Sequence, residues 1–391
     1  MRVLVLTRVY LPGFKAGGPI RSLSNLVDCL GLEMRFLVLT GDRDSLDKTS
    51  YPFIPLNRWV RRRKASVFYL SSGPSKLARL FFIFAYCPYD ILYLNSLFSP
   101  VFTLAPLLLK RIGLRSRTPV VLAPRGELSP GALALKPRKK QLFLKVAKRL
   151  GLFRYLIWQA TSSCEAHDIK KLMGPDVTIQ IAPNVPSPAQ ALEVTTIKSL
   201  PVGVPLRLIF LSRLTPKKNL DFALRVLQGV GAVVDFSIYG PLEDRAYVER
   251  CRLLASKLPS HIRVFWKGEL RPEDVAETLA THDLFFFPTR SENYGHVIAE
   301  ALSAGTPVLI SDTTPWRDLT AAGVGWDLPL KDISAFTACI DQFAKLTTKD
   351  VLAWRQRAHD YALEKLDLPA ILDANRKLFI NAMPSSTQTE T

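Results

Sequence analysis

The feature that most constrains this chain is a rhythm that occurs twice. Short aliphatic or β-branched runs alternate with helix-length amphipathic segments. In the first pass, strands read at 2–7, 35–40, 66–70, 90–94, 119–123, 157–161 and 177–182, with helices over 19–31, 75–86, 100–112, 138–150 and 164–173. A Pro-, Ser- and Thr-rich stretch at 185–204, "VPSPAQALEVTTIKSLPVGV", reads as a linker. The rhythm then restarts, with strands at 206–212, 233–239, 262–266, 283–288 and 306–310 and helices over 218–229, 244–257, 272–280, 295–304 and 332–346. Parallel strands need long crossovers, so this alternation predicts α/β architecture with parallel sheets. At 391 residues the chain is also too long for one ordinary core. The expected layout is two doubly wound, Rossmann-like domains, 1–184 and 205–365, facing across a cleft. A C-terminal helix at 366–383 is expected to pack back on the N-terminal domain, ahead of a disordered tail at 384–391.

The net charge of +18 is unevenly placed. Residues 1–200 hold 30 Lys and Arg against 11 Asp and Glu, whereas residues 201–391 hold 22 against 23. The first half therefore calls for an anionic partner. Between 57 and 158 there are 20 Lys and Arg and only two acids, Asp90 and Glu127. "KPRKKQLFLKVAKRLGLFRYLIW" predicts an amphipathic helix with Leu142, Val146 and Leu150 on one side, suited to an anionic membrane surface. The plainer alternative is a core-facing helix with solvated lysines. Nucleic acid is disfavoured, because no recognition fold accompanies the charge. Residues 91–109 carry no charge, but Asn95, Ser96, Ser99, Pro100 and Pro106 interrupt them, so a strand, loop and helix are expected rather than a membrane span. Five scattered cysteines and an N-terminus that opens directly on a strand point to a reducing cytoplasm.

Ligands of doubly wound sheets bind beyond the carboxyl ends of the strands, which directs attention to four loops. After the first strand, Gly17 and Gly18 open a helix through Pro19, where free N–H groups could hold a phosphate; a simple glycine-requiring turn is the alternative. In "LRLIFLSRLTPKKNLDFALRVL", Arg213 and Lys218 stand before a helix expected to begin near Lys218. Cations there oppose the helix dipole unless a phosphate lies between them; two solvated lysines are the alternative. In "SENYGHVIAEALSAGTPV", Asn293 is a candidate cap for a helix starting near Gly295, and Glu292 sits at its mouth. Glu300 lies inside the apolar run beyond it, where an unpartnered carboxylate would cost several kcal/mol. A pair of sugar hydroxyls would satisfy it, as would an ordinary salt bridge. Asp42 and Asp44 form a D-x-D that reads as a solvated loop.

Taken together these motifs resemble family 4 of the glycosyltransferases, retaining enzymes of the GT-B fold. The resemblance is carried by Glu292, "NYGHVIA", Glu300 and "ALSAGTPV", by "LSRLTPKKN", and by "AGGPIRSL", in that family's order and on its βα turns. It implies that Arg213 and Lys218 bind the diphosphate of a nucleotide-sugar, and that Glu300 accepts from the nucleotide ribose. Glu292, with the backbone of Asn293, Tyr294 and Gly295, would hold the donor sugar and β-phosphate. Gly17 and Gly18 would let their loop close over the phosphates. No metal or other cofactor is implied. "TGDRD", "APRGELSPGAL", "ATSSCEAHDI" and "PWRDL" further resemble a bacterial branch that builds exopolysaccharides and capsules, implying a lipid-linked saccharide acceptor and a peripheral place at the inner face of the cell membrane. Many relatives carry a histidine after the fourth strand, where this chain has Asn95. Arg125 in "APRGEL" is the candidate replacement for its charge. Two further readings stay open: a catalytically impaired scaffold and a nucleotide-sugar 2-epimerase.

Overall fold

The computed structural model describes residues 1–15, 17–45, 47–133, 137–186 and 205–384. The proposed linker at 185–204 therefore falls largely outside the described residues, as does the tail beyond 384. The chain divides into two compact units, residues 1–185 with 368–391, and residues 186–367.

Unit 1 contains an eight-stranded sheet in the order β3-β4-β2-β1-β5-β6-β7-β8. Its strands are β1 (Arg2–Leu6), β2 (Arg35–Gly41), β3 (Trp59–Arg62), β4 (Ala65–Leu70), β5 (Ile91–Asn95), β6 (Val120–Ala123), β7 (Leu156–Ala160) and β8 (Thr178–Ile181). All neighbours are parallel except β3, which pairs antiparallel with β4 at the edge. The sheet is buried on both faces, which is why β1, β2 and β5 read as almost unbroken aliphatic runs. One face packs against α2 (Lys76–Tyr86), α3 (Ala105–Arg111), α5 (Pro137–Arg149) and α6 (Ser163–Met173). The other packs against α1 (Gly18–Leu30) and, from the far end of the chain, α14 (Leu368–Ile380). A short α4 (Pro130–Leu133) precedes α5. The uncharged stretch 91–109 becomes β5, a π-helical turn at Pro100–Leu104 and α3. Among the described residues no helix is long and apolar enough to cross a membrane.

Unit 2 contains a six-stranded parallel sheet ordered β11-β10-β9-β12-β13-β14. The strands are β9 (Leu206–Leu211), β10 (Val234–Tyr239), β11 (Ile262–Gly268), β12 (Leu284–Phe287), β13 (Val308–Ser311) and β14 (Gly325–Leu328). Around them lie α7 (Leu220–Leu227), α8 (Arg245–Ala255), α9 (Val275–Ala280), α10 (His296–Ser303), α11 (Leu319–Ala322), α12 (Ile333–Phe343) and α13 (Thr348–Lys365). The core centres on β12, whose four residues Leu284–Phe287 are fully buried. The place of β9 in the sheet positions the site. It sits between β10 and β12: the chain runs from β9 through β10 to β11 on one side, then crosses back to build β12, β13 and β14 on the other. That is the switch point at which such sheets open a crevice.

Candidate functional site

At this switch point the loops after β9 and β12 meet. Lys218 and Glu292 form an ion pair there, with side chains only 11% and 16% exposed. The lysine ammonium also lies 5.3 Å from the centre of the Phe287 ring. Burial alone would raise the Glu292 pKa, but the Lys218 charge and hydrogen bond, with smaller help from Lys217 and the Asn293 N–H, bring it below the ordinary carboxylate value. Glu292 is therefore an anion held by a cation in a poorly hydrated place, an arrangement that answers to a charged polar ligand.

The two loops are tied together by groups that sequence reasoning did not single out as site residues. Thr289 donates its hydroxyl to the Lys217 carbonyl (3.2 Å), and the Arg290 N–H donates to the same carbonyl (2.9 Å). Asn219, 2% exposed and in the left-handed region (φ 65°), donates to the Pro288 carbonyl (2.8 Å) and accepts from Arg290 (3.0 Å). Ser311, at the end of β13, and Thr313, just beyond it, both donate to the Thr289 carbonyl. The helix expected from Lys218 accordingly starts later, at Leu220, because Asn219 takes a non-helical conformation to reach β12.

A second correction concerns the start of α10. Asn293 does not cap it; Gly295 occupies the capping position in the left-handed region (φ 78°, ψ 54°) with no side chain to contribute. A Cβ at Gly295 would stand 2.9 Å from Ile298 Cδ1, 3.2 Å from Trp316 Nε1 and 3.3 Å from Glu292 Cγ. Glycine is needed for close approach as much as for its φ. Trp316 Nε1 donates to the Tyr294 carbonyl (2.7 Å) and pins the loop, while the Tyr294 ring lies 4.5 Å from His296 and its buried hydroxyl is pushed above the usual tyrosine pKa. Glu300 sits in the middle of α10, 7% exposed. Arg213, beyond β9, is ion-paired with Glu243 of the loop after β10 (2.9 Å), a partner that sequence reasoning did not name.

The remaining candidates lie in unit 1. Gly17 (φ 74°) precedes α1, with Pro19 in its first turn and Gly18 as its first residue. The loop before it is held by the Asp44 carboxylate, which accepts from the Phe14 and Lys15 N–H groups (2.7 and 3.0 Å). Asp42 accepts from Arg43 (2.9 Å) and from the Ser72 N–H and hydroxyl (3.1 and 3.0 Å). Burial opposes ionisation of Asp42, yet these partners hold its pKa at about 2. The D-x-D is thus not a solvated loop: both acids are buried and spend their oxygens organising backbone. Among the described residues no group of three or more His, Cys, Asp or Glu side chains gathers as a metal site would.

Asn95 ends β5 and is 4% exposed. Arg125, left-handed at φ 55°, donates twice to its Oδ1 (3.2 and 2.8 Å), once to the Tyr93 hydroxyl (2.6 Å), and to the Asn184 side chain. The two residues that sequence reasoning paired are in contact, and the partners of the guanidinium in these bonds are all neutral. The Asn95 Nδ2 group, buried, has no acceptor among the described residues. Two carboxylates, the half-buried Glu127 and the buried Glu165, set the backbone around it. Glu127 accepts from the Leu97 and Phe98 N–H groups and the Ser96 hydroxyl, and Glu165 accepts from Gly126 and Thr161.

Residues 198–361 match the family model described as "Glycosyl transferases group 1". The chain is 31% identical over 150 residues to the phosphatidyl-myo-inositol mannosyltransferase of Mycobacterium leprae, a stretch covering 38% of each. It is 27% identical over 188 residues to a provisionally named colanic acid biosynthesis glycosyltransferase, WcaL, of Salmonella typhimurium, covering 45% of this chain and 44% of that one. The matches thus span less than half the length of these relatives. Among solved structures, Anabaena HepE in complex with UDP and glucose superposes with a TM-score of 0.68 at 18% identity, over 97% of this chain and 100% of that one. Sucrose-phosphate synthase from Thermosynechococcus elongatus gives 0.74 at 14% identity, over 97% and 98%. At such identities these structures establish a fold, the GT-B fold.

Proposed function

Because residues 198–361 match the glycosyl transferases group 1 family model and the chain carries the GT-B fold, we propose that it is a member of that family, a retaining, metal-independent hexosyltransferase. In this reading a UDP- or GDP-sugar is the donor and a lipid-linked saccharide the acceptor, in bacterial surface-polysaccharide assembly at the inner face of the cell membrane. The observation that carries the reading is the buried Lys218–Glu292 pair at the switch point of unit 2, together with Glu300 on α10.

The chemistry required is modest. The bond from the anomeric carbon to the leaving diphosphate breaks through an oxocarbenium-like state while an acceptor oxygen attacks from the leaving-group face. The departing phosphate takes the acceptor's proton. The protein must then neutralise a growing anion and hold the sugar in place. Lys218 is already desolvated and oriented by Glu292, so a β-phosphate that shares it meets a charge needing little rearrangement. Arg213 supplies a second, more exposed cation, and the α10 N-terminus adds a favourable dipole. Glu300 accepts the ribose hydroxyls, and Gly295 leaves room for the ligand beside Glu292. On the acceptor side, Asn95 Nδ2 and Arg125 offer donors to a saccharide oxygen.

The test is transfer or donor hydrolysis by Glu292→Gln and Glu300→Gln. Each should lose about 10²-fold in turnover, the scale of one misplaced group in a desolvated polar site. Near-wild-type turnover in both would sink the assignment. Thermal stabilisation across a set of nucleotide-sugars identifies the donor. A chain that binds neither UDP nor GDP would instead be a scaffold, and product formation without any acceptor would mark an epimerase.

A further inference from the structure

The helical layer α2, α3 and α5 of unit 1 turns an apolar face away from the core. On α5 the buried residues are Leu144 and Ala147, so the stripe of Leu142, Val146 and Leu150 faces outward, with Leu142 63% exposed. The core-facing alternative for this stripe is excluded. On α2, Leu80 and Phe84 are buried, while Phe82 and Tyr86 are 60% and 73% exposed and stack on each other with centroids 5.9 Å apart. Beyond α3, Ile112 is 78% exposed. Burying such side chains is favourable, so leaving them in water carries a standing penalty unless something covers them.

These faces belong to one surface. Arg115, in the loop after α3, donates to the Ala85 and Cys87 carbonyls at the end of α2 (3.1 and 2.7 Å). Arg111 of α3 donates to the Leu150 carbonyl at the end of α5 (3.1 Å). Lys110 donates to three carbonyls of the same α3 loop. The surface also reaches the acceptor-side loop, since Phe98 lies 5.3 Å from the Phe143 ring and 5.0 Å from the Lys140 ammonium at the start of α5.

Charge decides what covers it. Between residues 76 and 155 there are 15 Lys and Arg and two acids. Of those acids, Glu127 is engaged inward by Leu97 and Phe98 and Asp90 is paired with Arg2. A second copy of the chain would have to bring this surface against itself, cation against cation. An anionic bilayer matches both parts, taking cations at its headgroups and aromatic and aliphatic side chains at the acyl boundary.

We infer that the outward face of α2, α3 and α5 is a membrane-inserting surface, in which Phe82, Tyr86, Ile112 and the Leu142 stripe enter an anionic leaflet while the surrounding lysines and arginines contact its headgroups. The inference deepens the proposed function and rests on its lipid-linked acceptor, because insertion here would deliver such a lipid beside Phe98 and Asn95. It adds that attachment is by insertion as well as charge, so part of it survives salt.

The test is flotation of the full chain with phosphatidylcholine vesicles, with and without phosphatidylglycerol, at low and high salt. Wild type should float with the anionic vesicles and keep a salt-resistant bound fraction. The double variant Phe82→Ser/Tyr86→Ser should lose that fraction, binding at least about tenfold more weakly. Thermal stabilisation by UDP or GDP should be unchanged in the variant, showing that it folds. Flotation of the variant equal to wild type overturns the inference. So does sedimentation showing a wild-type dimer that the double variant dissociates. If wild type floats but transfers no sugar, the failure belongs to the proposed function and the surface stands.

Discussion

Lys218 is the main reason that Glu292 remains charged. Replacing the lysine with a neutral residue of similar length, Lys218→Met, strands a buried carboxylate. The expected loss is about 3 kcal/mol of stability, readable by urea denaturation, together with weaker nucleotide binding. The pH dependence has a defined sign. The folded pKa of Glu292 lies below its ordinary value of 4.5, so its contribution is fully present above that value and drains away as pH falls through the folded pKa. Wild type should therefore lose stability faster than Lys218→Met as pH is lowered from 5 to about 3, a comparison of two melting series. Glu300 stands out in the sequence because an acid in an apolar run is costly, and Glu292 stands out by its place at the mouth of the same helix. Their partners do not. Glu243 is 30 residues from Arg213 and meets it only because β9 and β10 lie side by side.

At the scale of elements, the turn from β12 into α10 does the most. It needs a left-handed residue with no Cβ, and Gly295 supplies both. Gly295→Ala should cost about 1–2 kcal/mol through its φ alone. It should weaken nucleotide affinity further, because the new methyl meets Glu292 Cγ and Trp316. Urea melts combined with a nucleotide titration separate the two effects, and an unchanged affinity would remove Gly295 from the site. Most strands were legible because a parallel strand buried on both faces must be aliphatic throughout. Two were not. β3, "WVRR", is an edge strand with exposed arginines, and β14, "GWDL", is too short to show a period. Asp42 and Asp44 misled for a related reason: a D-x-D in a loop looks solvated until the backbone it organises is placed around it.

Over the whole molecule, the chain returns at its end to the unit where it began. In α14, Leu378 and Phe379 are fully buried in the core of unit 1, and Phe379 stacks edge-on against Tyr93 at 5.2 Å and Phe36 at 6.1 Å. Tyr93 in turn accepts from Arg125, so the last helix supports the side chain that holds Asn95. Phe379→Ala should cost about 3–5 kcal/mol. Hydrogen exchange should report the loss in β1, β2 and β5 while β9, β12 and β13 keep their protection, since these strands lie in separate compact units. Equal loss in both sets would show that the units unfold together. By itself the sequence determined the repeated strand–helix rhythm, the concentration of basic charge in the first half, and the two acids worth asking about. Each of these is local, set by side-chain period, composition or the cost of one buried charge. Only the tertiary structure decided that Lys218 faces Glu292, that Arg125 grips Asn95, and that the Leu142 stripe points outward. Those are matters of which strands lie side by side and which helix face the sheet takes, and both depend on contacts between residues far apart in the chain.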